Sequence, residues 1–502
     1  MRVFTQRRSL IALGLVFAML AAACSGSGDD SATAERVAQL ESELEAAQSA
    51  DSTDAETIAG LEQQLEDAQA ELDEAATTEA TAEDVITVEV WSHEFEPLQN
   101  ALLDKWVPEF EAENPNIKVE VTSIPFAGIV SYDAQLLTAL SSGQGPDLWD
   151  MGDWSYGPIL ENGWIAPLDP TIFGYEDNAE FIDAYQPGTL SVLEQDGQMM
   201  GVFSEFNTLA LFYNKDLIDE VGAEIPADQP LSWDDIGQIS SDLRIETDAG
   251  VIERVGYQFG FFANFRSPQW YAQNFYALMR QYGQDDLFID GAPAADTEAV
   301  VNALDVIYDY TYEYEAYDPT FISNFFADIP QGRVAMVLAG AWYPGAASPN
   351  APDGEFNFAV APHPVVDPSD PATYHNVSWL WGWSVNSNSP TDEQVAAQEF
   401  MAFMLGKKGE TEQPQFWFEN LGYLQPSRAF LESDGYTGAV DADPWLQLFI
   451  DAFDDYSVEP VPHSFDEPGA ALIRAIDRII YDGATAEEAA ATLQAELTRL
   501  DG

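Results

Sequence analysis

Acidic and aromatic side chains lie next to each other directly after two predicted strands. His93 and Glu94 precede Phe95, and Asp153 precedes Trp154. In open α/β sheets, small molecules bind at the edge where the carboxyl ends of the strands lie. Aromatic rings can contact the apolar face of such a molecule, while carboxylates and imidazoles hydrogen bond to its polar edge. The pattern indicates a small-molecule site but does not by itself identify the ligand.

The same residue types could also serve a secreted glycoside hydrolase. A chain with 87 Asp and Glu residues contains some carboxylate pair at a catalytic separation. However, the sequence has no Gly-x-Ser-x-Gly, His-Glu-x-x-His or Walker motif. Its four histidines, at positions 93, 363, 375 and 463, lack the spacing of metal ligands. We therefore expect no catalytic residue, no metal and no cofactor, and we keep the hydrolase as an alternative.

Composition argues against nucleic acid as a partner. The 502 residues include 18 Lys and Arg against the 87 acidic residues, which gives a formal net charge of -69 and repels phosphate. With 46% hydrophobic and 12% aromatic residues, most of the chain is expected to fold rather than to form an acidic tail. Its length is typical of two or three domains.

The first 24 residues have the pattern of an export signal. Basic residues precede an apolar run, 11–20, that ends in three alanines and Cys24, the only cysteine of the sequence. This position resembles a prokaryotic lipobox, so we expect Cys24 to be lipidated and the protein to be anchored at the extracytoplasmic face of the membrane. An ordinary cleaved signal is the alternative. The Arg7-Arg8 pair is also similar to a twin-arginine signal, so the export route stays open.

Residues 25–84 predict an acidic stalk. Apolar residues from Val37 to Ala47 and from Ile58 to Ala75 recur at steps of three and four, which is typical of a coiled-coil seam. Asp51 interrupts the seam between the two blocks. A pair of helices and a mostly disordered tether are therefore both open, and so is dimerisation of the stalk.

The body begins with the pattern of a βαβ unit. A β-branched run at 85–91 predicts a strand, apolar residues between 98 and 110 follow helical spacing, and 117–121 predicts a second strand. A further helix pattern at 133–140 leads to a short strand at 147–151. This alternation predicts an α/β fold with helices on both faces of a sheet.

Several motifs then follow in a recognisable order, at 110–119, 142–148, 163–169, 211–217, 232–235 and 330–337. From residue 85 to the C-terminus, the chain resembles the extracellular solute-binding proteins of ABC importers, in the branch of the maltose- and oligosaccharide-binding proteins. The resemblance implies two lobes with a ligand between them, and delivery of that ligand to the transmembrane subunits of a permease. It also implies three crossings, near 205–208, 381–385 and 424–426. The expected lobes are 85–206 with 383–424, and 207–382 with 425–502.

The resemblance also implies which residues hold the ligand. Trp342 matches the principal stacking tryptophan of the family, and Asn207 lies where the family often has a carboxylate, with Glu205 two residues away. His93 and Glu94 lie in a turn that the family uses for ligand hydroxyl groups.

Further candidates come from other parts of the chain. Asp153 and Trp154 lie in a stretch that resembles a sugar-contacting loop, although Asp153 could instead cap a helix. Trp379, Trp381 and Trp383 alternate along a predicted extended segment, so some of them could share a face toward the ligand, although core or hinge packing would explain Trp379 and Trp383 equally well. The remaining candidates are Arg266, Trp270 and Tyr343.

These residues predict a carbohydrate ligand, because a sugar presents a flat C-H face and an edge of hydroxyl groups. A polyamine or another non-sugar solute is a second possibility that the net acidity allows. A structural or adhesive lipoprotein would account for the anchor and the stalk but not for the aromatic candidates.

Overall fold

A computed structural model describes residues 85–501 except 127–131, 187–188, 190–192, 261–266, 322, 353–355 and 465. Nearer the N-terminus it describes only Arg36, Gln39, Leu40, Ser42 and residues 63–65, all of which are helical. The predicted signal, Cys24 and most of the predicted stalk therefore lie outside the described residues. The chain divides into two units, Met1–Ile86 and Thr87–Gly502, and the candidate site belongs to the second.

The first sheet is mixed and has six strands. Its order is β15-β14-β3-β1-β2, and β6 pairs with the other edge of β14. β1 is parallel to β3, whereas β14 is antiparallel to both β3 and β6. These strands are β1 (Ile86–His93), β2 (Ile117–Ile124), β3 (Leu148–Gly152), β6 (Val202–Thr208), β14 (His375–Val385) and β15 (Ser457–Pro460).

The second sheet has five strands in the order β13-β7-β12-β9-β8. Its central strand β12 is buried at every residue, as expected of a strand covered on both faces. Its strands are β7 (Ala210–Asn214), β8 (Ile245–Glu246), β9 (Ile252–Gln258), β12 (Val334–Ala339) and β13 (Phe358–Ala361). Two small hairpins complete the strands, β4 (Glu194–Gln195) with β5 (Gln198–Met199) and β10 (Phe288–Ile289) with β11 (Ala292–Pro293).

Helices surround both sheets. In chain order the α-helices of the described body are α1 (Glu96–Ala101), α2 (Val107–Glu113), α3 (Tyr132–Ser141), α4 (Tyr156–Glu161), α5 (Asn178–Asp183), α6 (Lys215–Val221), α7 (Trp233–Leu243), α8 (Pro268–Gln281), α9 (Glu298–Tyr312), α10 (Tyr343–Ala347), α11 (Thr391–Leu405), α12 (Glu412–Leu421), α13 (Arg428–Leu431), α14 (Asp434–Ala442), α15 (Leu446–Asp455), α16 (Glu467–Asp482) and α17 (Ala486–Asp501). None of the helices in the described part is both long enough and apolar enough to cross a bilayer.

The first helix pattern of the body continues through a local irregularity. A π-helical turn, Leu102–Trp106, joins α1 to α2 and buries Leu102 and Trp106. The predicted helix between 98 and 110 is therefore present, although its backbone hydrogen bonds change register within it.

Local capping fixes other helix starts: the Ser232 hydroxyl accepts a hydrogen bond from the Asp235 backbone N-H at the start of α7.

The three segments predicted as crossings lie side by side. Trp381 on β14 pairs with Glu205 on β6, and the backbone N-H of Phe206 donates to the carbonyl of Leu424 at 3.0 Å. A β-bulge interrupts the pairing of β6 with β14 between Trp381 and Gly382. The role of these segments as hinges between lobes stays a prediction.

Gly422, which ends α12, lies against the backbone that leads to Trp342. Its φ is +68°, in the left-handed region, and a Cβ atom there would lie 2.2 Å from the carbonyl oxygen of Ala341. Gly143 has a similar φ of +71°, but a Cβ atom there would meet nothing within 4 Å.

We predict that Gly422→Ala destabilises the protein much more than the matched Gly143→Ala. Both substitutions incur the left-handed backbone cost of about 1–2 kcal/mol, but only the first adds overpacking, which typically costs about 1–3 kcal/mol more. Urea denaturation of the two purified variants measures the difference. Equal losses of unfolding free energy would contradict the close contact at Gly422.

Candidate ligand-binding site

A cavity lies where residues from the two sheets and their helices meet. The first sheet contributes residues at the end of β1 and within β6 and β14, and the other wall comes from α8 and from the segment after β12. The residues that line the cavity are His93, Glu94, Phe95, Phe126, Glu205, Gln269, Trp270, Gln273, Phe326, Trp342, Trp379, Trp381 and Tyr423. Most of them are aromatic, and the polar ones are carboxyl, amide and imidazole groups.

Trp342 is half-buried and has aromatic neighbours on several sides. The ring centroids of Phe95, Trp270 and Phe326 lie 6.0, 6.1 and 6.1 Å from that of Trp342. On the opposite wall, Trp381 stacks on His93 with 3.9 Å between the ring centroids. Aromatic rings therefore enclose the cavity from more than one direction.

Glycine makes room for two of the indole rings. A Cβ atom at Gly340 would lie 2.5 Å from Nε1 of Trp342, and one at Gly152 would lie 2.1 Å from the ring of Trp154. Gly340 directly follows β12, and Gly152 is the last residue of β3. Each glycine lies two residues before its tryptophan. Each strand therefore ends in a Gly-x-Trp turn whose indole folds back over the glycine.

Asp150 fixes the position of His93. One carboxylate oxygen of Asp150 lies 2.6 Å from Nδ1 of His93, and the other accepts a hydrogen bond from the His93 backbone N-H at 3.0 Å. Asp150 is buried in the middle of β3 and its backbone carbonyl accepts from the hydroxyl of Tyr132 at 2.6 Å. The imidazole is therefore held against Trp381 at the surface of the cavity.

Glu205 is the most deeply buried carboxyl group of the cavity lining, with only 2% of its surface exposed. Burial raises its pKa to about 8, although hydrogen bonds from the side chains of Asn207 and Trp379 act in the opposite direction. The side-chain amide of Asn207 donates to Glu205 at 2.9 Å, and its oxygen accepts from the backbone N-H of Ala341 at 3.2 Å. Asn207 therefore connects Glu205 to the residue that precedes Trp342.

Two more carboxyl groups lie close to this wall. Asp133 on α3 accepts hydrogen bonds from Ser155 and Trp154 at 2.9 and 3.3 Å, and burial raises its pKa to about 6. Asp153 keeps part of its surface exposed, but the surrounding protein removes enough water to raise its pKa to about 7. Asp133, Asp153 and Glu205 therefore retain their protons more readily than hydrated carboxyl groups do.

The structure brings together most of the residues singled out in the sequence. Those that line the cavity are His93, Glu94, Glu205, Trp270, Trp342, Trp379 and Trp381. Asn207 lies behind Glu205, and Trp154 contacts the edge of Trp381 with 5.2 Å between the ring centroids. Asp153 lies beside Trp154 and does not line the cavity.

Two candidates lie elsewhere or are not described. Tyr343 is fully buried in the core, where its hydroxyl donates to the carbonyl of Phe325 at 2.8 Å, and it does not line the cavity. Arg266 lies outside the described residues. Trp383, which continues the alternation of Trp379 and Trp381, is buried within the sheet and pairs with Asp150 and Val202.

Six lining residues are not among the ligand contacts predicted from the sequence, although Phe95 belongs to the first motif: Phe95, Phe126, Gln269, Gln273, Phe326 and Tyr423. Phe95 and Gln269 are direct neighbours of predicted residues, so their positions in the sequence could have suggested them. The other residues come from loops and from a helix turn that only the folded chain brings to the cavity. Among the described residues, no group of three or more His, Cys, Asp or Glu side chains could hold a metal ion.

Comparison with known proteins places the chain among binding proteins. Residues 96–411 match the model of a family described as bacterial extracellular solute-binding protein. An arabinooligosaccharide-binding protein of Halalkalibacterium halodurans is 24% identical over 319 residues, which is 62% of this chain and 64% of that protein. This chain therefore matches somewhat less than two thirds of the length of that relative.

Solved structures share the fold. An ABC transporter solute-binding protein of Thermotoga lettingae bound to α-D-tagatose has a TM-score of 0.66 at 21% identity, covering 83% of this chain and 100% of that chain. Maltose-bound MalE3 of T. maritima has a TM-score of 0.67 at 18% identity, with the same coverage. These similarities confirm the predicted two-lobed α/β fold.

We predict that Glu205→Gln makes the protein more stable than the wild type as the pH rises. In the unfolded chain the carboxyl group ionises near pH 4.3, whereas in the folded chain it keeps its proton up to about pH 8. Between these values the folded state binds more protons than the unfolded state, so the free energy of unfolding falls as the pH rises, by at most about 1.4 kcal/mol per pH unit. The neutral glutamine does not incur this loss.

Urea denaturation of both proteins at pH 5, 6.5 and 8 measures this effect. The stability of the variant relative to the wild type should increase at each step. Parallel pH profiles for the two proteins would contradict a protonated, buried Glu205.

Proposed function

Because the chain belongs to the bacterial extracellular solute-binding proteins, we propose that it captures a carbohydrate in the cavity and delivers it unchanged to an ABC permease. The ligand class, a carbohydrate, and the partner, an ABC permease, are more specific than membership of the family. It follows from the aromatic and hydrogen-bonding groups around the cavity and from the sugar ligands of similar proteins, among them the arabinooligosaccharide-binding relative. An oligosaccharide is the ligand that the sequence motifs favour.

The observation that carries this proposal is the position of Trp342 in the cavity, with carboxyl and amide groups nearby. An indole ring can contact the C-H face of a sugar, while Gln269, Gln273 and Glu205 can hydrogen bond to hydroxyl groups. Side chains on both walls would contact such a ligand at once, so binding would favour the closed arrangement of the lobes. No chemical step is required for this role, and we propose that the protein is not an enzyme.

We further propose that the protein acts at the outer face of the cell membrane. The matching family is extracellular, and the N-terminal sequence ends its apolar run at Cys24. A lipid on Cys24 would hold the protein at the membrane, and residues 25–84 would separate the binding body from the surface. This arrangement would keep a captured ligand close to the permease.

A thermal-shift screen against a panel of sugars tests the proposed ligand class. The panel contains monosaccharides together with arabino-, malto- and manno-oligosaccharides. We expect one sugar class to raise the melting temperature of the wild type and Trp342→Ala to abolish the rise. Trp164→Ala removes an equally half-buried indole that does not line the cavity, and this control should keep the full response.

Two results would overturn parts of the proposal. An unchanged response of Trp342→Ala would remove Trp342 from the site. Release of new reducing ends from an oligosaccharide, measured in the same samples, would show that the protein is a hydrolase instead.

Replacement of Cys24 by serine tests the anchor. Without a thiol the lipid cannot be attached, so we expect Cys24→Ser to move the protein from the membrane fraction to the medium or the soluble fraction. Fractionation and immunoblotting of cells that express each form measure the distribution. A variant that stays with the membrane to the same extent as the wild type would contradict lipidation at Cys24.

A further inference from the structure

The aromatic rings of the cavity stand at steep angles to one another and do not form one flat platform. Phe95, Trp270 and Phe326 meet the plane of Trp342 at 82°, 77° and 65°. One flat ring face is sufficient to contact a sugar ring, whereas walls at steep angles surround a compact, rounded group. Ammonium groups are bound in this way, because each aromatic face attracts positive charge.

Two of the residues that line the cavity carry carboxyl groups. Glu94 and Glu205 contribute carboxyl groups, and no Lys or Arg occurs among the described residues that line the cavity. A third carboxylate, that of Asp150, lies directly behind His93. A positively charged ligand would therefore meet attraction from both the rings and the carboxyl groups.

Glu205 is a buried carboxyl group, and within the described part of the chain its hydrogen-bond partners are neutral. Its hydrogen bonds come from Asn207 and Trp379, neither of which carries a charge. A buried carboxylate is costly unless it is paired with a cation. We propose that the cavity binds an organic ammonium group, as found in an amino sugar, a polyamine or a quaternary amine, with Glu205 as its counter-ion. This inference rests on the proposed function in taking the cavity as the ligand site; an amino sugar agrees with the proposed carbohydrate, whereas a polyamine or a quaternary amine would replace it.

Binding of such a group would be coupled to release of a proton. Burial raises the pKa of Glu205 to about 8, so the free protein holds this proton at neutral pH. The arriving cation would favour the ionised carboxylate, and the proton would leave to the solvent. The other titratable groups around Glu205 are His93 and Glu94 at the end of β1, Asp150 on β3, and Tyr423 after α12.

Matched pairs of probes test the inference on the purified full-length protein. Each ammonium compound is compared with a neutral molecule of similar shape: choline with 3,3-dimethylbutan-1-ol, putrescine with butane-1,4-diol, and D-glucosamine with D-glucose. Tryptophan fluorescence and calorimetry measure the affinities. We expect at least one ammonium compound to bind about tenfold more tightly than its neutral partner. The compound that shows this preference indicates whether the ammonium group belongs to an amino sugar, a polyamine or a quaternary amine.

The role of Glu205 is tested separately. Choline carries a charge that does not depend on pH, so its affinity should rise between pH 6 and pH 8.5 in the wild type, while that of the neutral alcohol stays constant. Glu205→Gln should remove both the rise and the preference for choline. If this variant does not fold, the pH profile of the wild type still decides the question.

Each outcome has a different meaning for the two proposals. A neutral sugar that binds through Trp342, with no ammonium compound binding more tightly than its partner, overturns this inference and leaves the proposed function intact. If neither the ammonium compounds nor any neutral sugar binds, both proposals fail. A preference for ammonium that persists in Glu205→Gln overturns the assignment of Glu205 as the counter-ion.

Discussion

Strand β14 holds the candidate site together, because its 11 residues hydrogen bond to three other strands. Along one edge of β14, residues 375–378 pair with β15 and residues 381–385 pair with β3. The other edge of β14 pairs with β6. Trp379 and Trp381 lie within this ladder and line the cavity, opposite Asn207 and Glu205 on β6. A buried backbone group that lost its partner would cost about 1–3 kcal/mol. Any motion of the lobes must therefore bend this ladder without breaking it, and the bulge between Trp381 and Gly382 is the place where it is already irregular.

The local parts of the fold could be predicted from the sequence. The β-branched runs mark β1 and β2, and the short run at 147–151 marks β3, each to within a few residues, because strand pattern depends on neighbouring residues alone. The π-helical turn between α1 and α2 could not be predicted, since the apolar spacing of that segment is compatible with a regular helix. The order of motifs indicated the two-lobed fold, which depends on pairing between strands as distant as β3 and β14.

The candidate site likewise contains some residues that the local sequence could indicate and others that it could not. Trp342 and Trp154 carry a local signal, because each follows a glycine by two residues at the end of a strand. Phe126, Phe326 and Tyr423 carry no such signal, because they lie in connecting segments where an aromatic residue is as consistent with core packing as with ligand contact. Tyr343 is predicted to contact the ligand because it is adjacent to Trp342 in the sequence. In the structure, however, it begins α10 and its ring is buried in the core.

The carboxyl groups of this protein lie in two different environments. On the surface, backbone and side-chain hydrogen bonds lower the pKa of Glu180, and hydrogen bonds from Ser369 lower that of Asp367, so both stay ionised and hydrated. In the cavity wall, loss of water raises the pKa of Glu205 and Asp133. Salt screens interactions between the exposed charges of the surface over about 10 Å at 0.1 M. The proposed preference for ligand charge depends on the second environment, because a charge interacts more strongly with its neighbours where less water surrounds it.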